Sequence, residues 1–326
     1  MIKKWEILFL LIMAIAVMGH VVITPLMIDI AGRDGWISIL LSLPLALVFA
    51  FAIYRLRLKY PKEDIYGIIF HILGKYFGTL LLMIFSVYFL FLTFFSAALF
   101  IDFVYIAFLP ETPKLALLLW FLIFFIYASI KGIKRIALTA GVLAIIAMIT
   151  GHSITLLDSP LKDWGELKPL LEFGWGPVLW GVIILTSIWV ELFLILFLPI
   201  QNIRAKRMFL FWIIGIALNA LMMFSTFTGV ITIFGLGQAD NFVYPALESV
   251  RIISLGFIDR FDIYGLVLMS FGIYIRSSLY FRIAYNITIS KVSSKMIQRI
   301  LFSILTLLVT IGAYYFSLDH LKLDGA

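Results

Sequence analysis

The chain has 326 residues, of which 63% are hydrophobic and only 13% are charged. Soluble globular domains are near half apolar and a quarter charged, so this chain has too few polar residues to cover a soluble fold. It contains no cysteine, which excludes disulfide bonds, thiolate metal sites and cysteine nucleophiles. The composition predicts a polytopic membrane protein.

Apolar segments long enough to cross a bilayer recur along the whole chain. About 20 mostly apolar residues form a helix of about 30 Å, which matches the hydrocarbon core. Because lipid offers no partner for open backbone groups, these spans are expected to be helices in an all-α bundle. Nine candidates are found, at about 5–30, 35–54, 77–106, 115–130, 136–157, 177–199, 208–235, 261–284 and 298–316.

The loops between the spans predict the orientation. If the N-terminus is cytoplasmic, most Lys and Arg residues of the loops fall on the cytoplasmic side, in groups such as 55–59 and 204–207. This bias is the positive-inside rule. The net charge of +7 is therefore interpreted as topology and attraction to the membrane surface. Because the basic residues are scattered over short loops, we expect no nucleic-acid partner.

Two further segments are predicted to be helical without spanning the membrane. Residues 63–74 follow Pro61 and are typical of a short amphipathic helix on the cytoplasmic surface. Residues 237–260 form a long outer connection in which apolar Leu247 and Val250 are mixed with charged residues. This pattern predicts a helix over the outer mouth of the bundle. Such a helix is either a gate or an ordinary interfacial helix.

The first span carries Gly19, His20 and Pro25 inside one apolar segment. Proline removes a helix hydrogen bond, and glycine tolerates unwound backbone. Transporters use such breaks to present carbonyl groups and half-helix ends to a substrate or ion. The sequence therefore predicts either a functional break in this helix or a simple proline kink.

A polar insert interrupts the sixth span, and its members are Thr186, Ser187, Trp189 and Glu191. The eighth span carries Arg276 in a similar way. Ionisable residues inside a span are costly to bury and usually face the bundle interior or water. Both polar stretches therefore point to the inside of the bundle.

Glu191 and Arg276 are predicted to lie at the same depth. Glu191 is 14 residues from Pro177 and Arg276 is 14 residues from Asp262, which places both about 21 Å below the outer ends of their spans. The sequence thus predicts a buried ion pair near a substrate or coupling site. The alternatives are a pair with a purely structural role and an Arg276 whose side chain reaches the cytoplasmic surface.

Motifs of enzyme chemistry are missing from the sequence. It has no zinc-binding His-Glu-x-x-His, no phosphate-binding loop, no Gly-x-Ser-x-Gly elbow and no dinucleotide fingerprint. We therefore expect neither an enzyme nor a bound cofactor.

Three motifs resemble the spore germination permease family of the GerB type. They are Ala-Gly-Arg-Asp-Gly-Trp-Ile-Ser at 31–38, Gly-Ile-Lys-Arg at 132–135, and Tyr-Pro-Ala-Leu-Glu at 244–248. The resemblance implies a member of the amino acid–polyamine–organocation transporter superfamily, with a LeuT-like fold of two inverted repeats. The repeats would cover about 1–157 and 176–316 of a single transmembrane domain. The family has ten spans, so the tenth is expected to be missing here.

The resemblance also implies a function. Such a chain would be the B subunit of a nutrient germinant receptor in the spore inner membrane. It would bind a small amino acid, sugar or nucleoside and act with an A-type membrane subunit and a C-type lipoprotein. The ligand site would lie at the broken first and sixth spans, at 19–25 and 186–191, with Tyr88 and Arg276 beside it. The alternative is a proton- or sodium-coupled amino-acid transporter in which Glu191 is the ion site.

Overall fold

The structure, a computed structural model, describes residues 1–61, 63–253 and 261–318. Eleven α-helices lie within these ranges. Their bounds are α1 (Lys4–Met18), α2 (Thr24–Ala31), α3 (Gly35–Lys59), α4 (Ile65–Ala107), α5 (Lys114–Lys131), α6 (Ile133–Leu157), α7 (Trp175–Val190), α8 (Met208–Ala239), α9 (Pro245–Arg251), α10 (Asp262–Thr288) and α11 (Lys295–Ser317). A π-helical turn, Gly19–Ile23, joins α1 to α2, and a 3₁₀-helix, Glu191–Phe197, continues α7.

The predicted membrane spans are found in the described part of the chain. Eight continuous helical stretches are long and apolar enough to cross a membrane. The first of these, Lys4–Lys59, contains two predicted spans, because a short turn, Gly32–Asp34, joins α2 to α3. The all-α polytopic membrane bundle is thus confirmed. The division into two inverted repeats, at 1–157 and 176–316, stays a prediction.

Both predicted non-spanning helices have a counterpart. α4 begins at Ile65, and its backbone breaks at Gly74, where φ is 70° and ψ is −178°. The first turns of α4 therefore form a short arm, close to the predicted 63–74. In the connection predicted at 237–260, α9 covers Pro245–Arg251. Part of the predicted 237–260 segment, 254–260, lies outside the described residues.

α1 lies at the centre of the bundle. Its sequence is apolar on all sides, and such a helix must be surrounded by other helices. From Leu10 to Met18 every residue is buried, with α6, α8 and α10 packed against it. By contrast, α11 exposes large apolar side chains such as Ile304, Leu307 and Ile311, which gives it a face suited to lipid.

The end of the bundle that carries the N-terminus is held by polar contacts. Ile2 donates its N–H to the Pro199 carbonyl (2.8 Å) and accepts from the Gln201 N–H (3.0 Å), which joins the N-terminus to the chain after the 3₁₀-helix. Lys134 at the start of α6 lies 2.5 Å from buried Glu6 of α1. These bonds fix the beginning of the central helix.

Candidate functional site

A buried ion pair lies in the middle of the bundle. Arg276 of α10 donates from Nη2 to Glu191 Oε1 over 2.5 Å, and from Nη1 to Glu191 Oε2. Only 1% of Arg276 and 4% of Glu191 is exposed. The predicted pair is therefore confirmed. Arg276 does not reach the surface, so the alternative in which its side chain extends to the cytoplasmic face is wrong.

Three other groups form hydrogen bonds with the two charged side chains of this pair. Arg276 Nε donates to Ser96 Oγ of α4 (2.8 Å), and Nη1 donates to the Ala14 carbonyl of α1 (2.6 Å). Tyr280 donates its hydroxyl to Glu191 Oε2 over 2.6 Å. A buried pair is tolerated when such bonds offset the loss of water. We call Glu191, Arg276, Tyr280, Ser96 and the Ala14 carbonyl the central clamp.

The clamp joins four parts of the bundle at one point. It draws on α1, α4, α10 and the first residue of the 3₁₀-helix that follows α7. Tyr88 of α4 lies close enough to Glu191 and Arg276 to interact with both charges, and its ring packs on Phe89 at 5.4 Å. Of the predicted site residues, Glu191, Arg276 and Tyr88 are thus brought together.

The predicted break in the first span is a π-helical turn with no free carbonyl at Gly19. The Thr24 N–H bonds to the Gly19 carbonyl, and the Thr24 hydroxyl donates to the same oxygen over 2.8 Å. Pro25 has no N–H to continue the α-helical pattern, and the wider turn shifts the hydrogen bonding before it. The backbone at 19–23 is therefore helical rather than unwound, and its hydrogen bonding is that of a local helix distortion before Pro25.

The sixth span changes its helix type where the polar insert ends. The α-helix stops at Val190, and the tighter 3₁₀-helix begins with Glu191. Thr186 and Ser187 donate their hydroxyls to carbonyls of their own helix, Val182 and Ile184, and Ser187 is exposed. Neither hydroxyl belongs to the central clamp.

Trp189 fixes α7 to its neighbour. Its indole Nε1 donates to Ser42 Oγ of α3 over 2.9 Å, and the side chain is fully buried. This bond satisfies the buried indole N–H, so no ligand is needed to explain a tryptophan beside the clamp.

A cavity of about 270 Å³ lies beside the π-helical turn, and we call it the outer cavity because it lies toward α9, away from the end that carries the N-terminus. Its wall comes from α1, α6, α8, α9 and α10, and mainly apolar side chains such as Met13, Val17, Leu268 and Met269 line it. Among the predicted site residues, all of which are described, His20 alone lines this cavity. α9 closes one side of it through Ala246, Leu247, Ser249 and Val250.

Polar groups in this wall are few, and several of them bond to another polar side chain. His20 Nδ1 and Thr226 Oγ1 share a hydrogen bond of 2.7 Å between the π-helical turn and α8. The hydroxyls of Thr155 and Ser225 lie 3.3 Å apart. Asp158, at the end of α6, forms an ion pair of 2.6 Å with Lys162. An apolar cavity with a few convergent polar groups is the usual form of a small-molecule site.

A second cavity, of about 450 Å³, opens at the α9 end of the bundle. Pro25, Asp29, Asp240 and Tyr244 line it, and both carboxylates are exposed. Pro25 therefore faces this second cavity, whereas Gly19 packs against Met223 inside the bundle.

Comparison with known proteins decides the family. The family described as "Spore germination protein" matches residues 1–320 of the chain. The chain belongs to this family. It is 28% identical to Spore germination protein XB of Bacillus anthracis, over 99% of this chain and 92% of that protein. It is 32% identical to Spore germination protein YndE of Bacillus subtilis (strain 168), over 46% of this chain and 41% of that protein.

The motifs that indicated a spore germination protein hold the ends of the bundle. In the first motif, Asp34 accepts from the Leu171 N–H (3.1 Å), and Arg33 pairs with Glu172 at 3.1 Å. In the third motif, Tyr244 donates its hydroxyl to buried Asp102 over 2.9 Å. They fix loops and α9 around the cavities, and the third motif also contributes Ala246 and Leu247 to the wall of the outer cavity.

The residues of the outer cavity that sequence reasoning missed are Thr155, Asp158, Ser225 and Thr226. Serine and threonine in a span usually bond to their own helix, so their presence carries little signal. Glycine residues carry a stronger signal than these hydroxyl residues, since Gly229 of α8 and Gly265 and Gly272 of α10 all line the cavity. Asp158 was detectable as a carboxylate directly after the fifth span.

Proposed function

We propose that this spore germination protein is the permease-like subunit of a nutrient germinant receptor and binds its nutrient in the outer cavity. The family supports the role, and one observation supports the location: the cavity meets the central helix at His20, in its π-helical turn. π-helical turns are frequent at functional sites. The protein would lie in the spore inner membrane with its N-terminus in the cytoplasm.

The size and lining of the cavity fit a small nutrient. Its volume of about 270 Å³ is just below the range of about 300–1,000 Å³ for pockets that take drug-sized ligands. Such a space suits an amino acid or a simple sugar better than a peptide. The hydrogen bond between His20 and Thr226 offers polar atoms that a ligand can engage.

The central helix connects this cavity to the clamp. His20 lines the cavity, and the Ala14 carbonyl, six residues earlier on the same helix, accepts from Arg276. A ligand that prefers one position of His20 over another would bias the position of α1 by its difference in affinity. This shift would be passed through α4, α7 and α10 to the A-type and C-type partner subunits.

Glu191 gives no support to the alternative of an ion-coupled transporter. Both of its carboxylate oxygens are engaged by Arg276 and Tyr280. A coupling site needs a carboxylate that can exchange its partner for a proton or sodium ion. Accumulation of a labelled nutrient in vesicles, driven by an ion gradient, would favour the transporter over the receptor.

Ligand binding to the purified full chain in lipid nanodiscs tests the proposal. A panel of amino acids, sugars and nucleosides is titrated against the protein, and binding is followed by calorimetry. We expect at least one nutrient to bind, and His20→Ala and Thr226→Val each to weaken it by about tenfold, which is about 1.4 kcal/mol. The same variants should slow germination of spores that carry them in response to that nutrient.

Ser153→Ala is the matched control, because Ser153 is exposed on α6 and bonds only to its own helix at Ile149. It should bind the nutrient as the native chain does. Normal binding by the His20 and Thr226 variants, with loss in Thr186→Ala or Tyr88→Phe, would move the site to the clamp. Absence of binding across the whole panel would reject the proposed function.

A further inference from the structure

A partly buried arginine lies where α5 meets α6, at the end of the bundle that carries the N-terminus. Arg282 of α10 donates from Nη1 to the Ser129 carbonyl near the end of α5, over 3.4 Å. Its Nε atom is buried and has no acceptor among the described residues. No carboxylate in the described part of the chain forms an ion pair with Arg282. Because a charge removed from water is costly without a partner, this arrangement points to an anion from outside the chain.

The open edge of the Arg282 guanidinium faces Gly132, the residue between α5 and α6. The φ angle of Gly132 is 81°, which favours glycine. A Cβ atom there would lie 3.8 Å from Arg282 Nε and 4.0 Å from Nη2. These two nitrogens form an edge of the guanidinium that can bind two oxygens of one phosphate or carboxylate group. The glycine therefore leaves space in front of the edge that is suited to such an anion.

The start of α6 and the end of α5 add further donors at this junction. Gly132 is the N-cap residue of α6 and offers no side chain to cap it, so the N–H groups of Ile133 and Lys134 have no intrahelical acceptor. A helix N-terminus of this kind attracts anions. Ser129 is fully buried, and its hydroxyl has no partner among the described residues. Since buried hydroxyls nearly always have a partner, this one is a second indication of a ligand.

The charges around the junction are mostly positive, and lipid-facing surfaces adjoin it. Lys131 ends α5 and Arg135 lies in the first turn of α6; both are exposed, and neither pairs with a described carboxylate. The Glu6 carboxylate, on α1, is already engaged by Lys134 at 2.5 Å. α5 and α6 expose large apolar side chains beyond the junction, among them Tyr127, Ile130, Leu138 and Val142.

We propose that Arg282, Ser129 and the start of α6 bind the phosphate group of an anionic membrane phospholipid. The Nε–Nη2 edge of Arg282 holds phosphate oxygens, and Lys131 and Arg135 attract the negative headgroup. The acyl chains lie along the exposed faces of α5 and α6. The second motif, 132–135, which has no part in the proposed nutrient site, thus belongs to a lipid site. This site does not depend on where the nutrient binds.

Native mass spectrometry of the purified full chain in detergent tests this proposal. Phosphatidylglycerol and phosphatidylcholine are added at equal concentrations, because both carry a phosphate but only the first has a net negative charge. We expect phosphatidylglycerol to bind at least about fivefold more tightly. Arg282→Gln should remove most of this preference. Arg282→Lys should keep only part of it, because lysine retains the charge but not the bidentate edge.

A double variant of exposed residues keeps the test decisive if the Arg282 variants do not fold. Lys131→Gln/Arg135→Gln should weaken phosphatidylglycerol by at least about fivefold. Arg204→Gln/Lys206→Gln is the matched control, since it removes two exposed charges from the loop before α8, at the same end of the bundle. The control should bind as the native chain does. An equal loss in the control, or a native preference in the Lys131/Arg135 variant, would overturn the proposal.

A second experiment separates a membrane lipid from free phosphate as the source of the anion. Phosphatidylglycerol and inorganic phosphate are titrated separately against the delipidated full chain, and thermal unfolding is followed. We expect phosphatidylglycerol to raise the unfolding temperature of the native chain but not of Arg282→Gln, and inorganic phosphate to raise neither. Stabilisation by inorganic phosphate that requires Arg282, without a preference for phosphatidylglycerol, would assign the site to a soluble phosphate and overturn the lipid proposal.

Discussion

The central clamp and the outer cavity both contain buried polar groups, but they differ in what remains open. In the clamp, the Glu191 oxygens and all three nitrogens of the Arg276 guanidinium have protein partners. In the outer cavity, the His20 imidazole and the Thr226 hydroxyl bond to each other and also line a space of about 270 Å³. A polar cluster enclosed by protein partners holds helices together, whereas polar groups beside empty space can take a ligand.

The two regions are connected although they differ. The Ala14 carbonyl and His20 are six residues apart on one helix, which is about 9 Å along its axis. The π-helical turn starts just before His20, so the geometry changes between clamp and cavity. This arrangement places the π-helical turn at the cavity and the clamp carbonyl in the regular α-helix before it.

The largest effect is expected from breaking the clamp on one side. Glu191→Gln leaves the Arg276 charge buried without its counter-ion, and such losses cost about 3–5 kcal/mol. The double variant Glu191→Gln/Arg276→Met removes both charges and should recover much of that loss. The difference in stability between the two variants is measured in detergent by size-exclusion chromatography and by thermal denaturation.

Glu111→Gln is the control for this change, since Glu111 is exposed and its neutralisation should have no effect. A double variant as unstable as the single one would argue against the pairing. A single variant with native stability but no nutrient binding would instead make the clamp part of the ligand site.

A smaller effect is expected where the two regions join, at Gly19. A Cβ atom there would lie 2.5 Å from Met223 Cγ, so Gly19→Ala overpacks the contact between the π-helical turn and α8. Overpacking costs about 1–3 kcal/mol, and the flexible methionine favours the lower value. Thermal unfolding should show this loss, and nutrient affinity should fall as His20 shifts.

Gly176→Ala provides the comparison, because nothing lies within 4 Å of a Cβ atom at that position. It should leave both measurements unchanged. Replacing Met223 by Ala as well should relieve the crowding in Gly19→Ala. If the added Ala side chain changes nothing, the packing at the turn is looser than the structure indicates.

The sequence predicted the clamp better than the cavity for a physical reason. Hydropathy locates spans, and equal depth in two spans was enough to pair Glu191 with Arg276. The outer cavity depends on how five helices leave space, which periodicity does not encode. His20 was found because it interrupts an apolar run, but Thr226 was not, since a threonine in a span is usually bonded within its own helix.

The same limit applies to local backbone form. Pro25 indicated a disturbed helix without deciding between a break and a kink, and the helix is disturbed in the form of a π-helical turn. The Thr24 hydroxyl and N–H both reach the Gly19 carbonyl, and this local bonding was not inferred. The third motif likewise identified the family without showing that Tyr244 holds α9 in place.

The smallest predicted effect concerns α9, which forms part of the cavity wall and no part of the clamp. Tyr244→Phe removes the hydroxyl that donates to Asp102 over 2.9 Å, which is worth about 1 kcal/mol. Hydrogen exchange in 245–251 should then be about fivefold faster, while exchange in α1 and α10 near the clamp stays the same. Tyr127→Phe is the control, since Tyr127 is 63% exposed. Faster exchange at the clamp as well would show that the two regions open together, and the distinction between a fixed centre and an adjustable cavity would be lost.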